Sequence, residues 1–221
     1  MKKEFKNPII IALDGMSEKE ALKIAKLFKG KVWGFKVNDL LFQGVGIIKK
    51  LKKFGKVFAD AKLHDIPNTV ANQTHRLSMA GADLITIHAL GGIEMMKMAK
   101  KMAGQSKILA VTILTSHYNN LSIEKDITKL MSDASRAGVD GIVCSAHELK
   151  FLQRINKNLL KVVPGIRPIW YGKKDDQKRT VTPRRAMELG ADLLVVGRPI
   201  TEAPDKVEAL RKILAELEYN K

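Results

Sequence analysis

The stretch VFADAKLHDIPNTVANQTHRLSMAGADLITIH, residues 57–88, has the pattern of one complete strand–helix–strand unit. Its two ends, Val57–Lys62 and Leu84–His88, are apolar runs of strand length. Between them, Ile66-Pro67 is typical of a helix start, because proline is favoured at the first helical position. Ala80-Gly81-Ala82-Asp83 is typical of a helix end, because glycine accepts the left-handed conformation found there. The stretch therefore predicts two parallel strands joined by a helix.

The same alternation of apolar runs and helical patterns continues along the chain and predicts eight strands. The strand candidates are Ile9–Leu13, Val32–Val37, Val57–Lys62, Leu84–His88, Ile108–Ile113, Gly141–Cys144, Lys161–Val163 and Leu193–Val196. Amphipathic helical patterns lie between and after them, for example at Glu18–Phe28, Val45–Phe54 and Asp205–Leu217.

A weak internal repeat supports the same architecture. The pattern Ala80-Gly81-Ala82-Asp83 recurs as Ala137-Gly138-Val139-Asp140 and Leu189-Gly190-Ala191-Asp192, at intervals of 57 and 52 residues. Each interval corresponds to about two strand–helix units, and eight regular units in so short a chain favour a closed barrel over an open doubly wound sheet. We therefore predict an α/β fold, a single (β/α)8 TIM barrel that spans residues 1–221 as one domain.

The composition is that of a globular protein. The 221 residues are 45% hydrophobic and 28% charged, which allows a sizeable core and excludes global disorder. The single cysteine, Cys144, excludes an intrachain disulfide and suits a reducing compartment. The first apolar run, Ile9–Leu13, is too short for a signal sequence, and no stretch is apolar enough to span a membrane. We expect a cytoplasmic protein with no membrane partner.

The charge is the most unusual global property. Lysine and arginine number 39 against 23 acidic residues, which gives a net charge of +16. One hypothesis is a basic, non-catalytic barrel that binds nucleic acid. The favoured interpretation is that lysines cover solvated helix faces, because only 5% of the residues are aromatic and no stacking residues are interleaved with the charges. We therefore expect no nucleic-acid partner, and a positive field that helps to collect anionic substrates.

In a barrel of this kind the chemistry lies at the C-terminal ends of the strands, and the predicted ends are polar. The residues there are Asp14, Lys36, Asn38, Asp60, Lys62, Asp65, His88, Thr115, Ser116, Gly165, Arg167, Gly197 and Arg198. The N-terminal ends show no comparable set. A polar segment at about 165–181 follows the seventh strand, where it is a candidate for a mobile lid.

Asp60 and Lys62 form the centre of this polar set. They are two residues apart on a predicted strand, so both should point to one face, into the barrel mouth. A lysine between carboxylates stays protonated and can act as a proton donor. A metal site built from His64, His88, Asp60 and Asp65 is disfavoured because Lys62 would repel the ion. We expect His88 to be a satisfied core or rim histidine rather than a catalytic base.

The motif Asp60-x-Lys62-x-x-Asp65-Ile66-Pro67-Asn68-Thr69 resembles the central motif of the orotidine 5'-phosphate decarboxylase family. The resemblance extends through Ile11-Ala12-Leu13-Asp14, Lys36-Val37, Leu114-Thr115-Ser116, Val163-Pro164-Gly165-Ile166-Arg167-Pro168, Asp176-Gln177-Lys178-Arg179 and Val195-Val196-Gly197-Arg198-Pro199-Ile200. It implies a carboxy-lyase that converts orotidine 5'-monophosphate to UMP and CO2, the last step of UMP biosynthesis, with neither a metal nor an organic cofactor.

The resemblance also implies a role for each matching residue. Lys62 would protonate C6 of the pyrimidine, and Asp60 would face the substrate carboxylate. Asp65 and Thr69 would come from the neighbouring subunit of a homodimer. The remaining substrate contacts would be the ribose residues Asp14 and Lys36, the pyrimidine residues Thr115 and Ser116, and the phosphate residues Arg167, Gln177, Gly197 and Arg198.

A second enzyme class stays open beside this one. The sugar-phosphate lyases of the same superfamily, 3-keto-L-gulonate 6-phosphate decarboxylase and hexulose phosphate synthase, share the Asp-x-Lys-x-x-Asp core and use a bound magnesium ion. The continuation Ile66-Pro67-Asn68-Thr69 and the pair Asp176-Gln177 favour the pyrimidine enzyme.

Overall fold

The computed structural model describes residues 7–113, 122–172 and 180–218. Eight parallel strands form a closed barrel in which each strand pairs with its neighbours in sequence and the last strand pairs with the first. The strands are β1 (Ile9–Ala12), β2 (Gly34–Val37), β3 (Lys56–Leu63), β4 (Leu84–His88), β5 (Lys107–Val111), β6 (Gly141–Val143), β7 (Leu160–Val163) and β8 (Leu193–Val196). The predicted (β/α)8 barrel is confirmed. That residues 1–221 form a single domain stays a prediction.

The helices surround the barrel. Those in the described residues are α1 (Glu18–Leu27), α2 (Gly46–Leu51), α3 (Pro67–Met79), α4 (Gly92–Met102), α5 (Ser122–Arg136), α6 (Leu149–Ile155), α7 (Pro183–Glu188), α8 (Arg198–Thr201) and α9 (Lys206–Glu218). Short 3-10 helices at Asp39–Gln43, Ala89–Gly91 and Ala146–Glu148 follow β2, β4 and β6. Within the described ranges, no helix is long and apolar enough to cross a membrane.

Several predicted boundaries were wrong by a few residues. The second strand begins at Gly34 rather than at residue 32, and β5 ends at Val111 rather than at residue 113. The helix predicted to end at Phe54 ends at Leu51, because the chain turns there and the amides of Phe54 and Gly55 both donate to the Leu51 carbonyl. This turn leads directly into β3.

Two layers of apolar side chains form the core. An inner cluster fills the barrel, with Ile10, Ala12, Phe58, Leu84, Leu109, Leu160, Val162, Leu193 and Val195 as its buried members. A larger cluster lies between the strands and the helices and includes Phe28, Phe35 and Met131. Along most strands alternate residues supply the two layers, as the two-residue period of a strand requires, whereas β2 supplies Phe35 and Val37 to the outer layer and turns Lys36 to the cavity.

The N-terminal end of the barrel carries the three copies of the sequence repeat. Their glycines have positive φ angles, 100° at Gly81, 77° at Gly138 and 97° at Gly190, which fits the predicted helix ends. The aspartate of each repeat accepts a hydrogen bond from a backbone N–H at the start of the preceding strand and pairs with a lysine. The pairs are Asp83 with Lys52, Asp140 with Lys100, and Asp192 with Lys161.

These pairs correct the expectation that the N-terminal ends would show no comparable polar set. The backbone donors are the amides of Val57, Ile108 and Lys161, at 2.7, 2.8 and 2.8 Å from the respective carboxylates. Each carboxylate therefore satisfies a strand end that would otherwise leave an amide without an acceptor. The charged groups at this end of the barrel hold adjacent strands together.

Candidate active site

A cavity of about 600 Å³ opens at the C-terminal end of the barrel. Its floor is apolar and includes Ala12, Phe58, Val143 and Val195. The residues predicted for the site that line it are Asp14, Lys36, Asp60, Lys62, Arg167, Gly197 and Arg198. The fold therefore brings together residues from the ends of five strands, β1, β2, β3, β7 and β8, and mixes cationic and anionic groups in one cavity.

Four of these side chains form a row of alternating charge. Lys36 Nζ lies 2.5 Å from Asp14 Oδ2 and 3.2 Å from Asp60 Oδ2, and Lys62 Nζ lies 2.7 Å from the same Asp60 oxygen. Lys36 and Asp60 are buried, whereas Asp14 is exposed and the Lys62 side chain is one-third exposed. The row thus lies along the cavity, with its buried members in the middle and its more exposed members at the two ends.

The ionisation of the two buried groups follows from this pairing. Burial opposes the charged form of Asp60, but the charges of Lys36 and Lys62 and the hydrogen bonds to the carboxylate outweigh it, so the pKa of Asp60 lies below its usual value. Burial also opposes the charged form of Lys36, but Asp60 and Asp14 outweigh it, so the pKa of Lys36 lies above its usual value. Asp60 is therefore a carboxylate, and Lys36 an ammonium, at neutral pH.

The strand that carries Asp60 and Lys62 is not regular. Lys62 has a φ angle of 47°, and the register of β3 against β4 shifts between Ala59 and Leu63. The prediction that Asp60 and Lys62 meet is correct. The predicted alternation also holds, because Ala59, Ala61 and Leu63 pack into the outer cluster whereas Asp60 and Lys62 both line the cavity, although the backbone at Lys62 is left-handed. The Asn38 side chain donates to the Asp60 carbonyl at 2.7 Å and supports this part of β3.

Asp65 and Thr69 do not line the cavity of their own chain. Asp65 is exposed, and its Oδ1 accepts from the Ile66 amide at 2.7 Å, just before α3 begins at Pro67. Thr69 lies in the first turn of α3 and is partly exposed. Neither of these two motif residues therefore joins Asp60 and Lys62 in the lining of the cavity.

Two backbone hydrogen bonds join the residues that directly follow β7 to Val181. The Val181 amide donates to the Gly165 carbonyl at 3.2 Å, and the Arg167 amide donates to the Val181 carbonyl at 2.9 Å. The Arg167 guanidinium lies over the Tyr171 ring, 5.4 Å from its centroid. The expected lid residue Gln177 lies outside the described residues, as do Thr115 and Ser116. That residues 165–181 form a mobile lid stays a prediction.

His88 and His64 lie beside the site. Their ring centroids are 5.5 Å apart, and neither residue lines the cavity. Burial, His64 and the Lys62 charge together lower the pKa of His88, so its ring is neutral at neutral pH, as a rim position allows. In the described residues, no group of three or more histidine, cysteine, aspartate or glutamate side chains is arranged to hold a metal ion.

Sequence reasoning missed Thr86, in the middle of β4. Its side chain is fully buried, and its hydroxyl lies 2.9 Å from Asp60 Oδ1 and 2.8 Å from the Lys62 amide nitrogen. The available signal was the pattern Leu84-Ile85-Thr86-Ile87-His88, in which one hydroxyl interrupts an apolar strand next to β3. A buried polar side chain in such a strand requires a polar partner.

The buried carboxylate of Glu148 was also missed. It lies 2.9 Å from Ser145 Oγ and 3.3 Å from Thr112 Oγ1. These contacts join the segments that directly follow β5 and β6, and the pattern Ser145-Ala146-His147-Glu148 after an apolar strand was the only local signal for them.

The fold and the cavity define a class: a (β/α)8-barrel enzyme with a lysine–aspartate centre at the C-terminal ends of its strands. The profile of the Orotidine 5'-phosphate decarboxylase / HUMPS family matches residues 7–213. The chain belongs to this family.

Individual relatives are similar to this chain over nearly its full length. The chain is 43% identical to the orotidine 5'-phosphate decarboxylase of Novosphingobium aromaticivorans, over 96% of this chain and 99% of that protein. The crystal structure of orotidine 5'-phosphate decarboxylase from Lactobacillus acidophilus has a TM-score of 0.82 and 37% identity, over 96% of this chain and 99% of that one. The crystal structure of orotidine 5'-phosphate decarboxylase from Pyrococcus horikoshii OT3 has a TM-score of 0.79 and 29% identity, over 95% of this chain and 98% of that one.

Proposed function

We propose that this chain is an orotidine 5'-phosphate decarboxylase, a carboxy-lyase that converts orotidine 5'-monophosphate to UMP and CO2. The observation that carries the proposal is the Lys62 ammonium, 2.7 Å from Asp60 and one-third exposed to the cavity. Family membership and the names of the full-length relatives support the choice of substrate. The relatives' names do not favour the sugar-phosphate alternative.

The proposed reaction needs two groups of the chain at the reacting carbon. The bond between C6 and the carboxylate breaks, CO2 leaves, and the electron pair remains on C6. Lys62 then gives a proton to C6, which forms the new C–H bond and leaves a neutral amine that regains its proton from solvent. Its positive charge also stabilises the negative charge that develops on C6. Asp60 faces the substrate carboxylate, and their repulsion ends when CO2 departs.

The rest of the substrate would lie along the cavity wall. We assign Asp14 and Lys36 to the ribose hydroxyls on the family resemblance, and their charged groups line the cavity and can form charge-assisted hydrogen bonds. Arg167, Gly197 and Arg198 lie at the ends of β7 and β8, where barrels of this type commonly bind phosphate. We assign Gln177 to the phosphate, and Thr115 and Ser116 to the pyrimidine, on the family resemblance alone.

We also propose that the enzyme is a homodimer with shared active sites. Asp65 and Thr69 lie outside their own cavity, and large apolar side chains are exposed on the same side of the barrel. These are Phe42 after β2, Ile66 after β3 and Leu90 after β4, which are 93%, 66% and 61% exposed. Burial of this face against a second copy would remove the apolar surface from water and carry Asp65 and Thr69 into the partner's cavity.

Mixed dimers test the shared site. Lys62→Ala and Asp65→Ala should each inactivate the homodimer, because each removes one component of both sites. When the two inactive proteins are unfolded together and refolded, mixed dimers contain one intact site, and about a quarter of the wild-type activity should return. No recovery, in a mixture that sedimentation shows to be dimeric, would contradict the shared site.

A cytoplasmic location and the absence of a nucleic-acid partner complete the proposal. The buried thiol of Cys144 suits a reducing compartment. Surface lysines pair with nearby carboxylates on several separate elements, for example Lys50 with Glu18 and Lys97 with Glu94, which fits solvated helix faces better than one nucleic-acid groove. Salt-sensitive binding of RNA or DNA that persisted in Lys62→Ala would contradict this part.

The direct test is the change in ultraviolet absorbance when purified protein is added to orotidine 5'-monophosphate, with and without excess EDTA. We expect complete conversion to UMP at the same rate in both conditions, because the proposed proton donor is a lysine. A folded protein that left this substrate unchanged but acted on a sugar phosphate with added magnesium would overturn the proposal in favour of the related lyases.

A further inference from the structure

Thr86 lies between the two residues to which the proposed function assigns the chemistry. It is at the centre of β4, its side chain has no solvent exposure, and it does not line the cavity. Its hydroxyl oxygen lies 2.9 Å from Asp60 Oδ1 and 2.8 Å from the Lys62 amide nitrogen. One hydroxyl therefore contacts both the carboxylate of Asp60 and the backbone of Lys62.

The directions of the two hydrogen bonds follow from the groups involved. An ionised carboxylate has no proton, so the single hydroxyl proton of Thr86 must be donated to Asp60. The Lys62 N–H can only donate, so it uses a lone pair of the same oxygen. The hydroxyl therefore acts once as donor and once as acceptor. Valine has the same shape and could make neither bond.

The same contact explains how the irregular backbone of β3 is held. The register of β3 against β4 shifts between Ala59 and Leu63, and Lys62 adopts the left-handed conformation that side-chain-bearing residues rarely take. In this interval the Lys62 amide bonds to the side chain of Thr86. A left-handed non-glycine residue persists only where its surroundings compensate for the strain.

We propose that Thr86 is a positioning residue that sets the geometry of the Lys62–Asp60 pair: its hydroxyl orients the Asp60 carboxylate and fixes the bend from which the Lys62 side chain reaches C6. The inference rests on the proposed decarboxylation. It assigns Thr86 no contact with the substrate.

The central test is Thr86→Val, with Thr86→Ser as its conservative partner. Valine leaves both the Lys62 amide and Asp60 Oδ1 without the hydroxyl, so we expect kcat to fall by up to about 100-fold, the usual cost of displacing a reacting group by about 1 Å. KM should change little, because the ribose and phosphate contacts remain. Serine keeps the hydroxyl, so its kcat should stay close to that of the wild type.

The chain offers a matched control in Thr74 of α3. Thr74 is also fully buried, and in the described part of the chain its hydroxyl has no hydrogen-bond partner. Thr74→Val makes the same chemical change outside the site and should leave kcat unchanged. If Thr74→Val lowers kcat as much as Thr86→Val, or if Thr86→Ser is as slow as Thr86→Val, the positioning role is wrong.

The pH profile supplies a second readout. Asp60 is faced by Lys36 from β2, Lys62 from its own strand, and Thr86 and His88 from β4, with Asp14 beyond Lys36. Loss of the Thr86 hydrogen bond should raise the pKa of Asp60, and the acid limb of kcat/KM should move to higher pH in Thr86→Val but not in Thr74→Val. A profile that moved equally in both variants would contradict the role.

A readout independent of activity separates the two proposals. Amide hydrogen exchange at Lys62 should accelerate in Thr86→Val and stay unchanged in Thr74→Val, because only the first variant removes the acceptor of that amide. If the wild type fails to convert orotidine 5'-monophosphate, the proposed function fails, whatever the exchange data show. If the wild type is active and Thr86→Val is equally active with unchanged exchange at Lys62, only the role of Thr86 fails.

Discussion

The two ends of the barrel use aspartate–lysine pairs in different ways. At the N-terminal end, Asp83 and Asp140 each bind a strand amide as well as a lysine, and the lysine side chains, Lys52 and Lys100, are 38% and 37% exposed. At the C-terminal end, the carboxylate of Asp60 is contacted by the side chains of two lysines and a threonine, and it is 9% exposed. The residue types are the same, but their surroundings differ.

This difference separates pairs that hold strands together from a pair that can carry out chemistry. A carboxylate bound to a backbone amide has a fixed place, and an exposed lysine beside it is screened by water, so the pair adds little beyond the backbone contact. At the mouth, burial strengthens each charge interaction, and the open side of Lys62 faces a cavity in which a substrate could lie. Burial alone does not make the difference, because Lys161, which pairs with Asp192 at the N-terminal end, is also buried. Function therefore depends on the neighbours of the pair and on the open cavity beside it.

The largest expected effect comes from replacing Lys62 at the C-terminal end, and it is compared with the replacement of Lys52 at the N-terminal end. Lys62→Ala removes the proposed proton donor and should lower kcat by about 10,000-fold or more, with the fold and nucleotide binding retained. Lys52→Ala should leave kcat unchanged and alter the free energy of unfolding by less than about 1 kcal/mol, because its partner keeps the strand amide. Steady-state kinetics and urea unfolding of both variants measure the contrast. A modest loss of rate in Lys62→Ala would contradict its role as general acid.

A second contrast concerns binding rather than chemistry. Arg198, at the end of β8, is assigned to the phosphate, so Arg198→Ala should raise KM by about 10- to 100-fold and also lower kcat, since phosphate binding helps to organise the site. The exposed Arg211 of α9 contacts Glu208 at 2.6 Å and lies outside the cavity. Arg211→Ala is therefore the matched control and should change neither constant. An unchanged KM in Arg198→Ala would show that the phosphate binds elsewhere.

The structural features that depend on local sequence patterns, such as strand bounds and helix ends, could be predicted from the sequence. The strands Leu84–His88 and Leu193–Val196 were predicted to the residue, and the repeated glycines have the left-handed φ angles expected at helix ends. The polar strand ends predicted most of the charged side chains that meet at the cavity, because parallel strands of a barrel place their C-terminal ends together, but Asn38, Asp65 and His88 do not line it. Both inferences use only the order of residues along the chain.

What depends on contacts between distant residues could not be predicted. The bend at Lys62 involves a hydroxyl on the neighbouring strand, 24 residues further along the chain. The strand-end role of Asp140 requires an amide 32 residues away. Neither separation has a periodic signature. A sequence pattern therefore showed that Asp60 and Lys62 belong together, but not that Thr86 links them.

The N-terminal pairs can be tested through stability alone. Asp140→Ala leaves the Ile108 amide without its carboxylate acceptor and Lys100 without its partner, so the free energy of unfolding should fall by about 1 to 3 kcal/mol. kcat and KM should stay at wild-type values, because the pair lies at the end of the barrel opposite the cavity. Urea unfolding and steady-state kinetics on the same preparation measure both. A large change in kcat with unchanged stability would reverse the comparison between the two ends.

The smallest expected effect is the pH dependence of stability that Asp60 and Lys36 contribute at the C-terminal end of the barrel. The folded-state pKa of Asp60 lies below its usual value, so its contribution is present at neutral pH and is lost as the pH falls through the folded pKa. The folded-state pKa of Lys36 lies above its usual value, so its contribution is lost only as the pH rises through that raised pKa. Urea unfolding across the acid range should therefore give a flatter pH dependence for Asp60→Asn than for the wild type. Equal slopes would mean that the pairing with Lys36 and Lys62 does not lower the pKa of Asp60, and the electrostatic distinction between the two ends would fail.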